Sequence, residues 1–232
     1  MKIMELSKRL RCVASYVQEG VSMADIGSDH AYLPCYLVER NQITHAVAGE
    51  VVKGPFESAQ RTVRERGFSD KIEVRLANGL QAIHKEDNIH TVTIAGMGGP
   101  LIAQILESGE KHLTTVERII AQPNIHARPI REWAVNKQWK IVNEAIMKED
   151  GKIYEIVVLE RGRATYDEDE LQFGPYLMRE KNDVFIEKWQ REANAKRNIL
   201  QALQKAQKTK DNERRSEKIK QELANIEGVI AK

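Results

Sequence analysis

Cysteine is scarce in this chain of 232 residues: there are only Cys12 and Cys35, at no paired spacing. That excludes a disulfide framework and a cysteine-based zinc motif, and two free thiols suit a reducing, cytoplasmic setting. The six histidines are scattered without ligand spacing, so no metal is expected. No apolar run approaches the roughly 20 residues that cross a bilayer, and Met1-Lys2-Ile3 opens no signal peptide, so no membrane partner is expected. A strong excess of one charge is missing too, with a net charge of only +2. Its distribution is uneven. From Glu187 to Glu222 eleven Lys/Arg stand against six Asp/Glu, a local +5 that leaves −3 for the rest. The basic tail is weak support for nucleic acid, because helical surfaces are often lysine-rich for solubility alone. The dinucleotide fingerprint G-x-G-x-x-G is also absent.

What is present is Met23-Ala-Asp-Ile-Gly-Ser-Asp-His-Ala-Tyr-Leu-Pro34, a short buried strand, a tight turn at Gly27 and the start of a helix. After Gly27 come Ser28, Asp29 and His30 rather than further glycines. Asp29 would sit where a pyrophosphate lies in a dinucleotide site, and like charges at that range repel. Twenty-three residues beyond Gly27 a second apolar run, Ala46-Val-Ala-Gly49, ends in Glu50. A glycine turn followed by an acid at about that spacing lays a nucleoside across a Rossmann-type sheet, with the acid accepting from ribose hydroxyls. Asp25, Asp29 and Glu50 favour a phosphate-free, cationic nucleoside, and S-adenosylmethionine (SAM) has that character. Asp25 and Asp29 could instead only tie the turn and cap the following helix.

Two further loops agree. Arg75-Leu-Ala-Asn78-Gly79-Leu80 follows an apolar alternation; Asn78 can bond an adenine edge and Leu80 can pack on its face, although an ordinary Asn-Gly turn has the same sequence. Thr91-Val-Thr-Ile-Ala-Gly96-Met97-Gly98-Gly99-Pro100 is a buried strand running into three glycines and a proline suited to a helix start. A backbone approach to a ligand at Gly96–Gly98 would justify their conformational cost.

Strands are expected near 22–27, 44–49, 71–76, 90–95 and 117–122, with helices at 5–18, 31–41, 54–66, 79–85, 99–109 and 126–138. Such alternation gives a parallel sheet covered on both faces. Residues 139–147 and 152–159 read as an antiparallel hairpin. The polar stretch 161–175 reads as a linker between a domain at 1–160 and a second at 176–232. Helices over 176–206 and 213–230, joined by a turn at 208–213, form an antiparallel hairpin. Its seam is Ile219, Leu223, Ile226 and Ile230 against Val184 or Phe185, Trp189, Ile199, Leu203 and Ala206. It serves either as a nucleic-acid-gripping arm or as a stabilising or dimerising element.

Leu6-Ser-Lys-Arg-Leu10, Ala24–Pro34, Gly54-Pro55-Phe56, Ala95-Gly-Met-Gly-Gly99 and Gln122-Pro-Asn-Ile-His126 together resemble the bacterial tRNA (adenine-22-N1)-methyltransferases, from about Leu6 to Glu160 and more loosely beyond. The resemblance implies an α/β fold, a Rossmann-like class I methyltransferase sheet with a C-terminal coiled-coil hairpin, and SAM-dependent methylation of N1 of adenine 22 in tRNA. The cofactor set expected is Arg9, Asp25, Gly27, Ser28, His30, Glu50, Asn78, Gly79, Leu80, Gly96, Met97 and Gly98, with Arg9 on the SAM carboxylate. Asn78 stands where the family is expected to carry Asp. Methylation at N1 makes the ring cationic, so a nearby carboxylate helps; Asp29 is the candidate, and holding the turn is its competing role. Asn124, with His126, could bond the adenine edge while Met97 packs on its face. A monomer is expected. Two other readings stay open: a SAM enzyme acting on another base or a small molecule, and a non-catalytic SAM- or RNA-binding module.

Overall fold

The computed structural model describes residues 4–205 and 209–231. The chain divides after Tyr166 into two compact units.

Among the described residues of the first unit, seven strands form one sheet in the order β3-β2-β1-β4-β5-β7-β6. The strands are β1 (Val21–Ile26), β2 (Ile43–Glu50), β3 (Ile72–Leu76), β4 (Thr91–Gly98), β5 (Arg118–Ile125), β6 (Trp139–Glu149) and β7 (Lys152–Arg161). β1 to β5 run parallel. The β6–β7 hairpin adds antiparallel, with β7 inserted beside β5. The crossovers are α2 (Tyr32–Glu39), α3 (Lys53–Glu65), α4 (Gly99–Ser108) and α5 (Arg128–Asn136), preceded by α1 (Lys8–Ala14). Central strands are buried on both faces, which is why 22–26 and 46–50 are small and apolar apart from the buried acids Asp25 and Glu50.

Two expected helices differ. The segment 5–18 is helical only over Lys8–Ala14, with Ser7 capping the Leu10 N–H at its start. The segment 79–85 forms two 3₁₀ turns, Gly79–Ala82 and Lys85–Asp87, instead of a helix. Arg75 explains the break: its guanidinium takes the Ala82 carbonyl at 2.8 Å and clamps Asp87, while Ile83 between the turns is extended.

The second unit begins at a capping box, Asp167 with Glu170, that starts α6 (Glu168–Phe173) within the stretch read as linker. Replacing Asp167 with Ala should lower unfolding free energy by about 1 kcal/mol in urea denaturation, the usual worth of a cap. The expected helix 176–206 is two helices, α7 (Pro175–Glu180) and α8 (Asp183–Lys205). Lys181 in the left-handed region ends the first, and the Asn182 side chain accepts from the Phe185 N–H to start the second. α9 (Lys210–Ala231) runs antiparallel to α8, as Lys196–Glu222 at 2.6 Å and Lys181–Val229 carbonyl at 2.7 Å require. Phe185, Trp189, Ile219 and Ile226 are buried; Val229 is buried where the seam pattern named Ile230, and Ile199 is exposed. Ala206 and Lys208 lie outside the described residues.

Candidate active site

The carboxyl ends of β1 to β5 meet residues of α1 and of the β6–β7 hairpin at one edge of the sheet. Gly27 turns at φ +70°, a backbone conformation that favours glycine, and the Met97 methyl covers it, 2.2 Å from where a Cβ would stand. The Gly27 and Ser28 N–H groups both donate to the Gly49 carbonyl, at 2.9 and 3.3 Å, which fastens the turn to the end of β2. Asp25 is 4% exposed and accepts from the Ser28 hydroxyl on one oxygen (2.6 Å) and the Thr93 hydroxyl on the other (2.5 Å). Burial pushes its carboxyl up; the two hydroxyls and the Arg9 charge pull it back. Asp25 and Ser28 therefore spend their side chains on each other and on β4.

Asp29, His30 and Ala31 follow at φ 38°, 64° and 56°. Three consecutive non-glycine residues in this region cost on the order of 1 kcal/mol or more each. The segment is held by the Asp29 N–H, which donates to Glu50 Oε1. The Asp29 side chain stays 81% exposed with His30 Nε2 at 3.4 Å, and the His30 ring stacks on Tyr32 at 5.2 Å and 14°. The turn thus presents one solvated carboxylate beside a stacked, part-exposed aromatic pair.

Glu50, 6% exposed, uses one oxygen for Asp29; the other has no hydrogen-bond partner among the described residues. Burial, then the neighbouring charges of Asp25 and Asp29, raise its pKa. The Ala77 N–H donates to the Glu50 carbonyl at 2.7 Å, which carries the chain from β3 to Asn78 beside it. Asn78 is exposed and its amide makes no hydrogen bond among the described residues. Leu80 is buried and its side chain packs against Gly109, so it faces the interior rather than an adenine ring. Val51 and Leu76, by contrast, are exposed at the strand ends next to Glu50.

On the other side of the turn, Arg9 Nη1 donates to Gln122 Oε1 at 2.5 Å, and the Gly96 N–H donates to the same oxygen at 3.0 Å. Glu149, at the β6–β7 turn, accepts from the Lys8 and Arg9 N–H groups, and the Arg9 guanidinium lies 5.5 Å from the Tyr154 ring centre. Asn124 is exposed and donates to the Gly96 carbonyl at 2.8 Å. Of the glycines in the β4–α4 loop, Gly99 is explained by the protein itself: a Cβ there would stand 1.7 Å from the His126 carbonyl oxygen. Gly96 and Gly98 sit in more open surroundings.

A family model described as tRNA (adenine(22)-N(1))-methyltransferase matches residues 23–227. The chain belongs to this family. It is 44% identical over 99% of both chains to the tRNA (adenine(22)-N(1))-methyltransferase of Bacillus subtilis. Among solved structures, a Streptococcus pneumoniae tRNA (m1A22) methyltransferase homologue, in complex with SAM, has a TM-score of 0.90 at 44% identity, over 97% of this chain and 100% of that one. The Mycoplasma capricolum family member bound to S-adenosylhomocysteine has a TM-score of 0.87 at 29% identity, over 97% and 98%.

Sequence reasoning named Glu50, Gly27, Asn78, Arg9 and Asn124, and the structure places them at one edge of the sheet. It missed Thr93 on Asp25, the Glu149 clamp on α1 and Gln122 as the link between Arg9 and Gly96. No local pattern could have found them: the contacts span 68 residues for Thr93–Asp25, 140 for Arg9–Glu149 and 113 for Arg9–Gln122.

Proposed function

We infer that the protein transfers the SAM methyl group to N1 of adenine 22 in tRNA at the carboxyl edge of its sheet. The activity is that of a SAM-dependent tRNA (adenine-22-N1)-methyltransferase. The observation that carries it is the 44% identity, end to end, with the B. subtilis enzyme.

We propose the following roles for its residues. SAM lies over Gly27 with its ribose on Glu50, its adenine at Asn78 and the backbone of Gly79 and Leu80, and its carboxylate toward Arg9. Asp25 and Ser28 hold the floor, His30 walls the turn, and Gly96, Met97 and Gly98 line the donor side. The second oxygen of Glu50, which no described protein group engages, supports this reading, because it is free to accept from a ribose hydroxyl. N1 of adenine carries an in-plane lone pair, so attack on the sulfonium methyl needs no prior deprotonation, and in-line placement supplies much of the rate. The transferred methyl leaves a cationic ring. Asp29, solvated and adjacent, stabilises that charge. Asn124 bonds the adenine edge, and the base reaches it unstacked from the RNA. The unit ending at Tyr166 acts as the catalytic domain and the helical unit from Asp167 as a separate one, whose basic stretch at 187–222 suits phosphate contact. The protein works as a monomer on tRNA in the cytoplasm, without a metal. No helix of the described residues is long and apolar enough to cross a membrane.

A crystal structure with S-adenosylhomocysteine tests the placement: the nucleoside should lie between Gly27, Glu50 and Asn78, and density elsewhere removes it. A pH series adds a second check. Ribose hydroxyls bond an ionised carboxylate more strongly than a neutral carboxyl, and burial makes Glu50 take up a proton at higher pH than an ordinary glutamate. SAM affinity should therefore fall on acidification before the ordinary glutamate range is reached. A Glu50→Gln variant should show a flat profile there.

A further inference from the structure

We propose that Gln122 is a positioning residue that sets the amide of Asn124 for the target adenine with one end and anchors Arg9 and Gly96 on the methyl-donor side with the other. The inference rests on the roles given above to Asn124 and Arg9.

Gln122 is 0% exposed in β5, next to the buried Ile120 and Ala121. A primary amide in such surroundings must find partners at both ends. Its oxygen receives Arg9 Nη1 and the Gly96 N–H, and both of these groups can only donate. The amide therefore cannot be flipped, and its nitrogen must point the other way, toward the Pro123 carbonyl at 2.9 Å and Asn124 Oδ1 at 3.4 Å. An NH₂ group only donates, so the Asn124 atom facing it is the carbonyl oxygen. The Asn124 nitrogen is fixed independently by its 2.8 Å bond to the Gly96 carbonyl. Polarity is thus passed from a guanidinium through two amides without an ambiguous step.

The consequence is chemical. Asn124, exposed at the sheet edge, keeps an acceptor lone pair of fixed direction for the substrate. Adenine offers an amine donor next to N1; guanine offers a carbonyl there, which would meet another acceptor. Holding the amine leaves the N1 lone pair free for methyl transfer. Were the Asn124 amide free to rotate, half of its orientations would present a donor instead.

Gln122→Glu separates the two ends. A carboxylate still accepts from Arg9 and Gly96 but cannot donate to Asn124. The expected result is a SAM Kd, by calorimetry, within about threefold of wild type and a kcat, at saturating SAM and tRNA, lower by about tenfold, the worth of one lost positioning hydrogen bond. Gln122→Met removes both ends and should weaken SAM binding as well. A double-mutant cycle distinguishes positioning from mere packing: Gln122→Glu should cost nothing further in an Asn124→Ala background. Additive losses, or a Gln122→Glu kcat within twofold of wild type while Asn124→Ala is impaired, overturn the coupling alone. Wild-type turnover in Asn124→Ala overturns the role of Asn124 and the coupling with it. If Gln122→Glu does not fold, Asn124→Asp tests the same device from its far end. A carboxylate there accepts in either orientation, so Gln122→Met should cost less kcat in an Asn124→Asp background than in wild type, and an equal cost refutes the proposal.

Discussion

Exchanging Asp29 for alanine should lower kcat on tRNA by about 100-fold while SAM still binds within about threefold of wild type; removing one preorganised electrostatic stabiliser typically costs 10²–10³ in rate. The split follows from how Asp29 is used. Its N–H holds Glu50, and alanine keeps that N–H. Its carboxylate meets only His30 among the described residues and is otherwise solvated, so the protein does not need it to fold. Alanine tolerates the left-handed backbone at φ 38° less well than aspartate. Asp29→Asn is the matched control, because asparagine accepts that conformation and keeps the shape without the charge. Both variants should be slow if the charge stabilises the methylated ring. If Asp29→Asn retains turnover within a few-fold, the carboxylate only shapes the turn.

Glu50→Ala should weaken SAM binding by about 100-fold or more, since a hydrogen bond to a charged group contributes roughly 1.5–3 kcal/mol and the ribose offers two hydroxyls. Folding stability should move the other way. Because burial raises the Glu50 pKa in the folded state, the folded chain retains this proton in a window where the unfolded chain has released it. Stability from this group is present below the unfolded pKa and is lost as pH rises through the raised one, so ionised Glu50 is a cost at neutral pH. The ligand-free Glu50→Gln variant should therefore melt higher than wild type at pH 7 while binding SAM less tightly. Calorimetry with SAM and thermal melts without it read the two effects separately. An unchanged SAM dissociation constant for Glu50→Ala would take Glu50 off the ribose.

Much of the frame was legible because it is written locally. Buried parallel strands leave apolar runs such as Ala46–Gly49, and each run ends in the loop residues that the sheet edge exposes. The distance from Gly27 to Glu50 is set by one helix and one strand, so it survives in sequence as a spacing. What escaped depended on tertiary partners. Arg75 reaching Asp87 and the Ala82 carbonyl turned an expected helix into two short turns. Lys181 and Asn182 ended one helix and began another inside a pattern that looked continuous, because seam periodicity does not register a cap. Leu80 looked available for an adenine face, yet Gly109 left a space that its side chain fills. Asp25 looked like a ligand acid, but Thr93 and Ser28 satisfy both of its oxygens.

The most direct test is to incubate the protein with methyl-labelled SAM and unmodified tRNA, then digest the RNA and locate the label. Label as 1-methyladenosine at position 22 is the expected result. Label on guanine, on the N6 amine or only on a small molecule, or no transfer at all, would contradict it.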